Sequence, residues 1–106
     1  MVQAQGVRDI EDPDVFGIVA LGIANILARS RGGVITLRTA SVLRSAGITD
    51  APRGLKWRVG NILRAALKQL GCTELGDKYV CPKSVFPRTP EEIRELLWSA
   101  SAVSIS

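Results

Sequence analysis

The sequence predicts a mostly α domain with a small β-hairpin, in the order helix, short strand, helix, helix, β-hairpin, helix. Three observations lead there. The 106 residues are 46% hydrophobic but only 5% aromatic, which supplies one aliphatic core in a chain too short for two. Helix-start residues and glycine stops recur at helix-length intervals. Two short runs then flank Gly76-Asp77, a hairpin turn signature.

Residues 1 to 12 lack periodicity and read as a flexible N-terminal arm. Asp12-Pro13 supplies an N-cap and a proline at the first helical position, with Asp14 in the first turn. The first helix is therefore expected from about Pro13 to Ser30, stopped by Gly32-Gly33. Its apolar residues run almost all the way round, so it needs cover on more than one side, and a second subunit is one source. Ala20, Ala24 and Ala28 form a small-residue stripe that permits close helix approach or serves as ordinary core. Val34-Ile35-Thr36 is a short β-prone run, and Thr36 is expected to cap a second helix from about Leu37 to Ala46, closed by Gly47. Asp50 is expected to cap a third helix from Ala51 or Pro52 to Leu70, closed by Gly71. Cys72 to Leu75 and Lys78 to Pro82 make the hairpin. Thr89-Pro90-Glu91-Glu92 is a capping box opening a last helix with the apolar stripe Ile93, Leu96, Leu97 and Ala100, followed by a Ser/Ala-rich tail from Ser99.

Composition weighs against catalysis. The chain has no His and two Cys, which removes the Ser/His/Asp and Cys/His pairs and the common zinc sites. No phosphate loop or activating base accompanies its Ser and Asp residues, so we expect no enzyme, no metal, no cofactor and no small-molecule substrate. The longest apolar run, Val15 to Leu27, is broken only by Asn25 and is shorter than the roughly 20 residues that span a bilayer. It follows an acidic stretch where a secretory signal has a basic start, so the expected setting is soluble and cytoplasmic, with no membrane partner.

The net charge of +4 hides a partition. Residues 1 to 28 hold one cation against four acids, residues 29 to 68 nine cations against Asp50 alone, and residues 69 to 106 four cations against five acids. An ordered block of +8 is the footprint of a polyanion partner, or of a basic surface that only keeps the chain soluble. At about 100° per residue, Leu55, Val59, Ile62, Leu63, Ala66 and Leu70 gather on one face of the third helix. Arg53, Trp57, Gly60, Asn61, Arg64 and Lys68 gather opposite, with Lys56 at the edge. Arg and Lys suit phosphates and guanine edges, Asn61 the donor and acceptor pair of adenine, and Gly60 a close backbone approach. Trp57 either folds back over the preceding turn, the reading favoured here, or meets a ligand.

In element order and punctuation, residues 13 to 82 or so resemble the winged helix-turn-helix family of DNA-binding domains. Gly33-Val34-Ile35-Thr36, then Ala40, Leu43, Gly47 and Ile48, then Ile62-Leu63-Arg64, Leu67 and Leu70-Gly71 before a hairpin carry the resemblance. Size, Arg preference and few Asn and Gln are similar to short winged-helix proteins of thermophilic archaea and their viruses. The resemblance implies a winged-helix domain over residues 13 to 88, with the third helix in the major groove and the hairpin as a wing on the phosphates. Arg53, Lys56, Trp57, Gly60, Asn61, Arg64 and Lys68 would then face double-stranded DNA, with Lys78 at the wing tip beside the acid Asp77. Arg38, with Thr36, would hold a phosphate at the start of the second helix. Residues 89 to 106 are expected to serve a homodimer together with the first helix, because Trp98 lies off the apolar stripe of its own helix.

The leading expectation is thus a homodimeric transcription regulator or architectural DNA-binding protein. The alternative is a protein-protein or RNA-binding module in a larger assembly. A two-residue turn at Gly76-Asp77 would also set Cys72 opposite Cys81, at the roughly 4.5 to 5.5 Å Cα separation that a disulfide can bridge. Two buried free thiols remain the other reading, and a longer loop would place the pair on opposite faces.

Overall fold

The computed structural model describes residues 14 to 105, with four helices and a three-stranded antiparallel sheet among them. Helix α1 spans Val15–Arg29, strand β1 Val34–Leu37, helix α2 Thr39–Ser45 and helix α3 Arg53–Gln69. Strands β2, Thr73–Leu75, and β3, Lys78–Pro82, form the hairpin, a 3-10 turn follows at Lys83–Val85, and helix α4 covers Pro90–Ile105. The expected cap at Asp12 and the N-terminal arm lie outside the described residues.

The start of α1 is made by Asp14, whose Oδ1 accepts the Gly17 N–H at 3.0 Å. Its end also differs from the expected glycine stop. Ser30 turns extended directly after Arg29, and Gly32 takes a positive φ of 82° in the turn beyond. Thr36 does not cap α2. It lies in β1 opposite Val80, because pairing with the hairpin carries the strand one residue further, to Leu37. Ser41 serves α2 instead, its Oγ accepting the Arg38 N–H at 3.1 Å. Pro52 rather than Asp50 occupies the N-cap of α3.

Helices α2 and α3 end in the same way. Ile48 N–H bonds Leu43 C=O and Gly47 N–H bonds Arg44 C=O, while Cys72 N–H bonds Leu67 C=O and Gly71 N–H bonds Lys68 C=O. This pair of closing bonds requires a left-handed residue after the helix. Gly47 and Gly71 supply it with φ of 90° and 88°.

The sheet order is β1-β3-β2, so β3 is central. Thr73, Glu74 and Leu75 face Val80, Tyr79 and Lys78 across the hairpin, and Ile35 faces Cys81 on the other side. Gly76 has φ 65° and Asp77 a negative φ, the pattern of a type II′ turn. Cys72 and Cys81 are joined by a disulfide across a Cα separation of 4.5 Å. Because Cys72 is also the last residue of the α3 closing motif, the bond ties the end of that helix to the central strand.

Val19, Ile23, Leu37, Val42, Val59, Leu63, Leu67, Ile93 and Leu97 are fully buried. Helix α1 packs on α2, α3 and α4, and α4 also packs on α3, so within one chain α1 is covered on several sides. The close approach on α1 falls at Gly22 rather than along the alanine stripe: a Cβ there would lie 2.3 Å from the Val42 carbonyl oxygen. Asn25, the polar break in the apolar run, donates from Nδ2 to Ser45 C=O at 2.7 Å at the end of α2. The last helix opens at Thr89, whose Oγ1 accepts the Glu92 N–H at 3.2 Å. It continues through the Ser/Ala-rich segment that the sequence reads as a tail.

Candidate nucleic-acid interface

The surface in question is the outer side of α3, which carries five cations and no carboxylate in 17 residues. Burial holds this helix by Val59, Leu63, Ala66 and Leu67, with Leu55, Ile62 and Leu70 only partly covered. The buried arc is thus turned toward Leu67, which the sequence arc omits. Arg53, Lys56, Arg64 and Lys68 remain exposed.

Trp57 stands among them at 68% exposure. It does not fold back over the preceding turn as expected from sequence. Gly60 and Asn61 are half-buried. A Cβ on Gly60 would come no closer than 3.5 Å to Thr39 Oγ1, so Gly60 lies beside the first residue of α2.

Two groupings connect α3 to its neighbours. Arg38 and Lys56 line one open cleft of about 350 Å³ together with Thr39, Ala40 and Asp77. Asp77, at the hairpin turn, therefore sets one carboxylate among the cations, and Lys78 follows it, partly buried and paired with Leu75. Further along α3, Arg64 lies close to the Tyr79 hydroxyl, which donates to Glu74 Oε2 at 3.4 Å. Burial pushes the Tyr79 phenol above its ordinary range, and the Glu74 carboxylate adds to the rise. The hydroxyl thus keeps its proton and donates it to the acid, with the arginine close by.

Glu74 and Tyr79 are absent from the residues singled out in the sequence. Their cross-strand pairing was legible there, but not that Arg64 would reach over the same edge. Lys68 belongs to neither grouping. Among the other cations of the basic block, Arg29 and Arg44 line a separate cleft with Ile26, Thr36, Ser41 and Ser45, and Arg29 Nη2 donates to Ser45 Oγ at 2.6 Å.

These side chains offer cation donors, an exposed π-face and amide hydrogen-bonding groups. Among the described residues, no three His, Cys, Asp or Glu side chains group to hold a metal ion. No helix among them is long and apolar enough to cross a membrane. In comparisons with known proteins the chain matches no family model, no curated protein and no solved structure.

Proposed function

We propose that this chain is a winged-helix protein that binds double-stranded DNA through the outer face of α3, as a homodimeric cytoplasmic transcription regulator or architectural protein. The observation that carries the reading is the exposed Trp57 on a helix with five cations and no acid. An indole left in water among arginines and lysines favours a partner that is both anionic and able to take an aromatic or apolar contact. A helix followed by a hairpin is also the layout in which one element enters the major groove and the other follows the phosphates. Arg53, Lys56, Lys68 and Arg38 serve phosphates, Asn61 and Arg64 base edges, and Lys78 the backbone beside the turn.

The test is binding to random duplexes by fluorescence anisotropy over a salt series. The affinity should fall with salt at a logarithmic slope of about −0.9 for each phosphate neutralised. The double variant Arg53→Glu, Lys68→Glu should flatten the slope and weaken binding by at least about 30-fold, each lost contact being worth on the order of 1 kcal/mol or more. A folded double variant with the affinity of the parent at about 0.15 M salt would remove α3 from the interface. A slope near zero in the parent chain would point to a protein partner.

A further inference from the structure

We infer that the open cleft between the end of α1 and the side of α2 binds phosphate, and that it carries the duplex-binding surface of α3 onward over α2. The cleft is about 350 Å³ and is lined by Arg29, Arg44, Thr36, Ser41, Ser45 and Ile26. It thus holds two guanidinium groups and three hydroxyls, with no carboxylate of the described residues on its wall. Neither arginine has a carboxylate partner among the described residues.

A cation in the last turn suits a helix C-terminus, and that alone would explain Arg29 on α1 and Arg44 on α2. It does not explain why both line one cleft, where like charges repel. Nor do the last carbonyls of α2 await them, since those of Leu43, Arg44 and Ser45 accept from Ile48 N–H, Gly47 N–H and Asn25 Nδ2. Arg29 is held in place by its Nη2 bond to Ser45 Oγ at 2.6 Å. A serine that accepts from Arg29 keeps its own O–H to give. Ser41 does not, because its hydroxyl already donates to Arg38 C=O. Two planar guanidinium forks beside the hydroxyls of Ser45 and the exposed Thr36 match an oxyanion with several acceptors, and phosphate is the group that arginine pairs serve best.

Continuity selects which phosphate. Arg44 also lines the next cleft, together with Ala40 and Lys56. Ala40 and Lys56 in turn line the cleft that holds Arg38 and Asp77. Three adjoining clefts therefore set Arg29, Arg44, Lys56 and Arg38 in one track around the exposed side of α2, with Asp77 as its single acid. A track of cations that begins on α3 and continues past it fits a repeating polyanion, and the backbone of the duplex lying on α3 is the one already at hand. The inference rests on the DNA-binding reading of α3.

The experiment is anisotropy over a salt series on a duplex of about 20 base pairs, which at about 3.4 Å each is longer than the 43 Å greatest extent of the described chain. Arg44→Gln should lower the logarithmic salt slope by about 0.9, and Arg29→Gln with Arg44→Gln by about 1.8, one phosphate for each arginine. Arg88→Gln is the control of equal charge, since Arg88 is exposed and lies in a cleft that shares no residue with the three; it should leave the slope nearly unchanged. Arg29, Arg44 and Arg88 are all exposed, so circular dichroism should show every variant folded. A steep parent slope that the double variant leaves unchanged, or that Arg88→Gln lowers as much as Arg44→Gln, overturns the inference and spares α3. A slope that falls with Arg29 and Arg44 but not with Arg53 and Lys68 removes α3 and keeps the cleft. Calorimetry with inorganic tripolyphosphate separates the remaining source: binding that the double variant abolishes while the duplex slope stays at the parent value would give the cleft to a free phosphate compound and overturn its place on the duplex.

Discussion

Trp57 and Trp98 are both more than half exposed, at 68% and 56%, yet their surroundings differ in every other respect. Trp57 stands on a helix with five cations and no acid. Trp98 stands on a helix whose first turn holds Glu91 and Glu92, leans on Phe16, and borders a hollow with apolar walls and one unsatisfied hydroxyl. Exposure alone therefore says only that an indole has surface to cover. The neighbouring charges are what separate the two: cations without an acid on the helix of Trp57, and carboxylates in the first turn of the helix of Trp98. The two faces are built on one core, because α1 and α4 both pack on the helix that carries Trp57. A perturbation of that core should reach both indoles, and one at the edge only the nearer.

The largest effect is expected at Gly22, beneath both faces. A Cβ there meets Val42 backbone carbonyl oxygen at 2.3 Å and Cγ1 at 2.8 Å, and a carbonyl held in α2 has no rotamer by which to move aside. Overpacking of this kind costs about 3 kcal/mol or more. Gly22→Val recovers only a few tenths of a kcal/mol in helix propensity. Urea denaturation followed by fluorescence of Trp57→Phe and Trp98→Phe chains, each with a single indole, should show the same loss for both reporters. A loss confined to one of them would mean that the two faces do not share a core.

The disulfide is next in size and should divide the faces. Cys72 and Cys81 are nine residues apart, and closing so short a loop in the unfolded chain is worth about 2.5 kcal/mol, with measured gains often smaller. Cys72→Ala with Cys81→Ala is the cleaner comparison, since Cys81 is fully buried and a serine there would add an unpaired hydroxyl. Hydrogen exchange should quicken first in β2 and at the end of α3, while amides of α1 and α4 change only with global stability. Equal quickening in α4 would contradict that division.

What the sequence makes legible follows the range of the interactions involved. The glycines at 47 and 71, the Thr89 start and the Gly76-Asp77 turn are local signals, and each of these elements lies where the local chemistry puts it. Two of the errors arise where a distant segment intervenes. Thr36 has the side chain of a cap, but β3 claims its backbone for the sheet. Leu67 lies outside the ideal core arc of α3, yet it is fully buried in a helix on which both α1 and α4 pack. The candidate interface divides likewise: the cations on α3 are visible from a helical period of 3.6. That Arg64 comes close to Tyr79 and that Asp77 shares a cleft with Arg38 and Lys56 depends on where the sheet sets the hairpin.

The smallest effect sharpens the comparison from the Trp98 side and involves titration. Asp14 accepts a hydrogen bond from Arg94 Nε at 2.9 Å, joining the start of α1 to α4 beside Phe16 and Trp98. The Arg94 hydrogen bond holds the Asp14 carboxyl below its ordinary value of 3.8; partial burial opposes that shift, and the Gly17 N–H assists it. A carboxyl whose pKa is lower folded than unfolded binds more protons when unfolded, so its contribution to stability is complete above the unfolded value. It disappears as the pH falls through the lowered folded value. Asp14→Asn removes the charge and keeps a good N-cap for Gly17. The parent chain should therefore be slightly more stable than the variant at neutral pH, and the difference should close as the pH falls from 3.8 downward. Both partners are exposed to solvent, so the difference should also shrink with added salt. Near-ultraviolet circular dichroism of the Trp57→Phe chain, in which Trp98 is the remaining indole, is the readout. A stability difference that persists unchanged below the folded pKa would assign the effect of Asp14 to the cap alone and leave the α1–α4 face without an electrostatic clasp.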